Sequence, residues 1–323
     1  MESADIGQTP GASVPVPSPR RPFAPITLAL CVVCVALFLA IAARGGEQSW
    51  ESLASFGYLR PERVWDGAYW ALVSSVFVHL APWHVAFNVY WLWVLGTGVE
   101  RVLGALPFAG LVLVSAFVSS SVQLGVSGDT GLGASGVVYA LFGLMWASRK
   151  RVPAFAQLLG ERTAPLFWIW LIGCILATHA GIVHIGNGAH VAGLVLGLLA
   201  AYWLIPGTTR RTLAIVGTGV FVVLSLLPLL WSPWSSTWVG HQAYKAHLAR
   251  DLDAAIAGYR RSIALGGDRR WALENLVLAY LARGRRKECA AALAELRSVD
   301  PAAAVKLEWD LRWELEAPTE RAP

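Results

Sequence analysis

Thr163 to Thr209 reads TAPLFWIWLIGCILATHAGIVHIGNGAHVAGLVLGLLAAYWLIPGTT, 47 residues without an Asp, Glu, Lys or Arg. A membrane-spanning helix needs roughly 20 mostly apolar residues, so this stretch is too long for one crossing. It breaks at Gly181 to Gly188 and predicts two. Further charge-free windows lie on either side. Pro22 to Ala43 predicts the first span, and Gly67 to Val99 holds a loop and then a helix from about Trp83. Pro107 to Gly128, the short Ser135 to Ser148 and Thr212 to Trp231 bring the total to seven spans. A short span is tolerable where neighbouring helices shield it.

Composition agrees with the windows. The 323 residues are 56% hydrophobic and 15% charged, against about 25% charged in ordinary soluble domains. The net charge is +5, but its placement matters more: the first 240 residues carry only 21 charges. This excludes a soluble enzyme of ordinary composition, a disordered chain and a basic nucleic-acid binder. The fold class is all-α, a polytopic membrane helix bundle with a small helical C-terminal domain. The Pro-rich leader before residue 22 and the lack of a small-residue cleavage site make the first window an anchor rather than a signal peptide.

Lys and Arg in short loops set the orientation. With a cytoplasmic N-terminus, nine fall inside: Arg20, Arg21, Arg101, Arg149, Lys150, Arg151, Arg162, Arg210 and Arg211. Arg44, Arg60 and Arg63 fall outside. Seven spans then put the C-terminal domain outside. Cys31, Cys34, Cys174 and Cys289 imply no disulfide framework.

Polar side chains inside spans are costly and mark candidate functional positions. Three patterns stand out. His84 and Asn88 are four apart, one helical turn from each other, and both can donate hydrogen bonds to an oxyanion. Polar glue between helices is the competing reading. Gly133-Ala134-Ser135-Gly136 puts a serine between glycines at the mouth of a span, with Tyr139 on the same face. Small-residue helix packing would leave the same pattern. His190 opens the sixth predicted span, with Gly193 and Gly197 forming a seam that admits close helix contact. A lone interfacial histidine is otherwise structural. His79 is read as bracing the loop before the second span, and His179 and His184 as structural.

Together the three patterns say more than each alone. By the predicted topology, Ser135, His190 and His84 lie at one depth, which independent packing motifs would not require. A serine nucleophile needs a base in reach and donors for its oxyanion. No carboxylate lies in these spans, so a Ser–His dyad is expected, its imidazole oriented by packing against Tyr139.

At these residues the chain resembles the rhomboid intramembrane serine proteases, over about Trp65 to Ile205. The match rests on Gly133-Ala134-Ser135-Gly136, on Ala189-His190-Val191-Ala192-Gly193 with Gly197, and on His79, His84 and Asn88. Gly98-Val99-Glu100-Arg101 also looks like the family's end of the second span. The resemblance implies a six-helix core with a sunken, water-filled site. Ser135 would be the nucleophile, His190 the general base and Tyr139 its stacking partner. His84, Asn88 and the Ser135 backbone N–H would line the oxyanion hole. One departure is that Trp70-Ala71 stands where relatives often carry Trp-Arg. The expected activity is cleavage of transmembrane segments near the outer leaflet. The alternative is a catalytically inactive, rhomboid-like protein that binds membrane helices.

From His241 onward the composition turns charged and Ala-rich. Ala246 to Leu265 and Ala279 to Pro301 look alike, each reading as helix–turn–helix, and resemble tetratricopeptide repeats. A stretch near Ala302 to Leu315 would cap them. The expected organisation is a disordered tail over 1–22, a six-helix core over 23–210, a seventh span and linker over 211–239, the repeat domain over 240–316 and a tail over 317–323. The expected partners are single-span membrane protein substrates, the lipid bilayer and a protein docked on the C-terminal repeats. No nucleic acid, cofactor or metal is expected; His79 and His84 are five apart and lack the Glu of a metalloprotease motif. The Ala- and Arg-rich, Lys-poor composition suits a bacterial inner membrane.

Overall fold

The computed structural model describes residues 23–45 and 49–316. The expectations for residues 1–22 and 317–323 lie outside the described residues. Among the described residues every regular element is a helix.

Helices fall in all seven predicted windows. Pro25–Ala43, Ala105–Ser127, Pro153–His179, Asn187–Leu204 and Arg211–Leu230 are long and apolar enough to cross a membrane. Pro82–Leu103 joins them together with the short Ala71–Phe77 segment before it. Ser135–Ser148 is shorter, at 14 residues, and buried on nearly every side. That is the signature of a central helix shielded by its neighbours. The protein is a multi-pass, all-α membrane protein.

The described chain forms two compact units. The first takes in residues 23–45, 76–119 and 133–222, and the second 49–75, 120–132 and 223–316.

In the first unit, Ser135–Ser148 packs along Asn187–Leu204, and Pro25–Ala43 along Pro82–Leu103. Proline opens three of these helices, at Pro25, Pro82 and Pro153, where its missing N–H costs nothing. The buried Glu100 carboxylate caps Pro25–Ala43: it accepts from the backbone N–H groups of Ile26 and Thr27 and from the Thr27 hydroxyl. A carboxylate at a helix N-terminus meets unpaired donors and the positive end of the helix dipole. At the other end of Asn187–Leu204, the Arg151 guanidinium donates to the carbonyls of Ala201 and Ile205, the complementary arrangement. Pro153–His179 is broken at Gly160, whose φ of +49° separates residues 153–159 from the spanning part. Residues 153–159, between the predicted windows, are helical as well.

The second unit combines the first interspan loop with the C-terminal helices. Ser236–Leu248, Leu252–Ala264, Arg269–Ala282, Arg286–Val299 and Pro301–Glu316 form two helical hairpins and a final helix. Ser235, Asp251 and Asp268 cap three of them through their side chains. The core centres on Ile256, Tyr259, Leu273, Leu276, Leu293 and Leu296. Each hairpin turns through a left-handed residue, Arg250 at φ +64° and Gly284 at φ +74°. Trp65 of the first loop donates to the Pro228 carbonyl, and Asp66 pairs with His241. These contacts join the first loop to the C-terminal segment within the second unit.

Candidate active site

Ser135 is the first residue of the Ser135–Ser148 helix. Its N–H and those of the next two residues precede the first intrahelical bond, which Val138 makes to Ala134. Such donors are free to meet an anion at the positive end of the helix. The Ser135 side chain is half-buried and reachable, whereas His190 is buried.

His190 lies in the first turn of Asn187–Leu204. Its Nε2 is 2.8 Å from Ser135 Oγ. The glycine seam explains the approach. A Cβ on Gly193 would lie 2.0 Å from the Gly136 carbonyl oxygen, and one on Gly197 would lie 2.0 Å from that of Ala140. No other residue allows backbones this close. Ser119 fills the space beside Gly136, its Oγ 2.5 Å from where a Cβ would stand.

Tyr139, one turn below Ser135, lays its ring against His190, with centroids 4.8 Å apart and planes tilted by 31°. Its hydroxyl donates to the Phe167 carbonyl at 3.3 Å. His190 Nδ1 is buried and has no hydrogen-bond partner among the described residues. Ring packing, rather than a carboxylate, therefore orients the imidazole. With the proton on Nδ1, Nε2 is the acceptor that a serine hydroxyl requires.

The other predicted positions converge on the turn before Ser135. Gly133 has φ +91°, and a Cβ there would lie 2.5 Å from His84 Cε1. The His84 ring thus rests on the backbone two residues before the serine. His79 pairs its Nδ1 with the Phe77 carbonyl at 3.1 Å, and its Nε2 accepts from the Ala134 N–H at 3.4 Å. The His79 and His84 rings meet edge to face, 4.9 Å apart. Asn88 is buried; its amide donates to the His84 carbonyl, and its Oδ1 has no partner. His179 and His184 are exposed and belong to no part of this cluster.

Two contributors escape the sequence reading. Asn187 donates to Thr178 Oγ1 and the Cys174 carbonyl, fixing the helix start three residues before His190. An Asn near a helix start is a usable clue. Ser119 carries none, because its partner glycine is chosen only by tertiary packing. Among the described residues, no group of three or more His, Cys, Asp or Glu side chains is arranged to hold a metal.

Comparison with known proteins follows the same residues. The family model described as Rhomboid domain matches residues 66–207. The chain is 36% identical over 189 residues to the Rhomboid protease GlpG of Serratia proteamaculans, covering 57% of this chain and 64% of that protein. It is 36% identical over 179 residues to the Rhomboid protease GlpG of Pectobacterium atrosepticum, covering 55% and 62%. The protein of the same name in Yersinia pseudotuberculosis is 35% identical over 188 residues, covering 57% and 64%. The chain thus spans under two thirds of the length of these relatives.

Proposed function

We propose that this chain, a member of the rhomboid family through its domain at residues 66–207, is an intramembrane serine endopeptidase. The observation that carries the reading is the 2.8 Å contact of His190 Nε2 with Ser135 Oγ at the start of a buried helix. Relatives named Rhomboid protease GlpG support it.

In this reading Ser135 attacks the scissile carbonyl while His190 Nε2 takes its proton. The oxyanion develops against the Ser135 N–H, with His84 and Asn88 as further donors. Asn88 turns one amide hydrogen to the His84 carbonyl and keeps a second for this task. His190 then protonates the leaving amine, and water hydrolyses the acyl-enzyme. Backbone amides within a helix are already hydrogen-bonded, so the substrate segment must unwind locally. Small and helix-destabilising residues near its outer end favour this.

The substrates are single-span membrane proteins, met within the bilayer. The setting is a bacterial inner membrane, with a cytoplasmic N-terminus and an extracytoplasmic C-terminal domain. The two C-terminal hairpins, read as tetratricopeptide-like, are a docking module for a protein partner.

The test is a serine-directed fluorophosphonate probe on detergent-solubilised full-length protein. The wild type is expected to label, and Ser135→Ala and His190→Ala to lose labelling while still inserted. Full labelling of Ser135→Ala would overturn the assignment. Absence of labelling in the wild type would favour the inactive membrane-helix-binding alternative.

A further inference from the structure

The C-terminal region does not stand apart from the first loop or from the loop that runs into Gly133 and Ser135. Within the second unit it grips two of them. The first loop contributes Trp65, which is buried, donates to the Pro228 carbonyl at 3.0 Å and stacks on His241 at 5.9 Å. His241 is also buried, and its Nε2 meets Asp66 Oδ1 at 3.1 Å. Lys245 reaches the same oxygen at 3.3 Å.

The second loop, residues 120–132, leads directly into Gly133 and Ser135. Trp234 donates from its indole N–H to the Gly125 carbonyl at 2.7 Å. Ser121 donates to the Ser225 carbonyl. Thr237 sits so close to Gly128 that a Cβ there would lie 2.5 Å from Thr237 Oγ1. The two loops are also tied to each other. Tyr58 donates to the Asp129 carboxylate at 2.8 Å, and Asp129 Oδ1 accepts from the Gly131 N–H. A domain merely tethered behind the last span would bury no such set of tryptophan, histidine and backbone partners. The loop before the nucleophile is held from the C-terminal side at Ser121, Gly125 and Gly128, and from the first loop at Asp129.

We propose that the C-terminal helical region is a positioning clamp for the active site, in which Trp234, Thr237 and His241 hold the loop before Ser135 and the first loop in their working conformations. None of the three touches the reacting atoms; each is a positioning residue. The proposal rests on the reading of Ser135 as the nucleophile. It makes the C-terminal helices part of the catalytic apparatus, so that whatever docks on them acts on the loop before the nucleophile.

The test uses the full chain in detergent with four variants. His241→Ala removes both the Trp65 stack and the Asp66 bond. His241→Gln keeps a donor for Asp66. Trp234→Phe keeps the ring and deletes the donor to Gly125. Arg260→Ala breaks the Arg260–Glu295 pair, away from both loops, and serves as the control. Hydrogen exchange followed by mass spectrometry reads residues 49–75 and 120–132 independently of activity.

His241→Ala is expected to speed exchange in residues 49–75, and Trp234→Phe in residues 120–132, each by about tenfold. Both are expected to slow fluorophosphonate labelling of Ser135 and to lower kcat about three- to tenfold, with KM within about twofold. His241→Gln should recover most of the protection, and Arg260→Ala should match the wild type. Unchanged exchange in His241→Ala and Trp234→Phe would overturn the clamp, as would an equal effect of Arg260→Ala. If the wild type itself fails to label, the nucleophile reading fails, and the exchange results still decide the clamp.

Discussion

One oxygen of the Glu100 carboxylate accepts both the hydroxyl and the N–H of Thr27, at 2.7 and 2.8 Å. Both residues are buried, and 73 positions of sequence separate them. The pair fastens the start of the first span to the end of the second.

Glu100→Gln replaces one acceptor oxygen by an NH2 group that faces donors. It is expected to cost about 1–3 kcal/mol, the penalty for leaving buried partners unsatisfied. Thr27→Val deletes only the hydroxyl bond and should cost about 1 kcal/mol. Thermal unfolding in detergent reads both, and a wild-type midpoint for Glu100→Gln would show that the cap contributes nothing.

Gly133→Ala faces two obstacles, a φ of +91° and the His84 ring at 2.5 Å from the new Cβ. The backbone before Ser135 must move. Displacements of about 1 Å at a reacting group cost on the order of 100-fold in rate. Fluorophosphonate labelling should fall by that order while the protein stays inserted.

Tyr139 separates packing from hydrogen bonding. Its ring supports His190, while its hydroxyl makes only the 3.3 Å bond to Phe167. Tyr139→Phe should keep kcat within about threefold, and Tyr139→Ala should lower it by about tenfold or more as His190 loses its orienting surface. Equal losses in both variants would make the hydroxyl the important part.

Asp66 gives a pH signature. Burial raises its carboxyl, but the hydrogen bonds and charges of His241 and Lys245 outweigh this and hold it below its ordinary value. A depressed carboxylate contributes stability above the ordinary aspartate pKa of about 3.9. That contribution is lost as pH falls through the depressed value. Hydrogen-exchange protection in residues 60–70, referred to the intrinsic rate at each pH, should therefore fall on acidification below about pH 4. Asp66→Asn should flatten this acid limb; the same limb in the variant would assign it to other groups.

Arg250 occupies a left-handed turn at φ +64°, where the second hairpin has Gly284. A non-glycine residue there costs about 1–2 kcal/mol, and glycine returns part of this as unfolded-chain entropy. Arg250→Gly should stabilise the C-terminal helices by about 0.5–1 kcal/mol. Proteolysis of residues 241–316 in the full chain should slow accordingly, and faster cleavage would contradict the strain.

The span pattern was legible because it depends on what is missing. A run without charge from Thr163 to Thr209 admits few readings, and Gly181 to Gly188 marks its break. The contact of Ser135 with His190 was legible for a related reason: Ser135, His190 and the Gly193–Gly197 seam each open or line an apolar helix. Glu100 was read only as the end of a span, since its partner at Thr27 is chosen by tertiary packing. Gly160 hides its kink because a glycine inside a helical pattern fits a helix as well as a break. The clamp left no local trace. Trp65 and His241 look like ordinary residues of a loop and of an amphipathic helix, and only folding brings them together.

Trp65 finds its acceptor 163 residues further along the chain, and Asp66 finds His241 after 175. Chains are made from the N-terminus, so the first loop is synthesised long before the residues that secure it. At about 5–20 residues per second the interval is roughly 10–35 s. Throughout that interval the bundle can assemble while the loop before Ser135 lacks its hold. Under the proposed clamp, the loop before Ser135 gains its hold only after the helix beginning at Ser236 has docked. On that reading, maturation of the site waits for the C-terminal helices to be made.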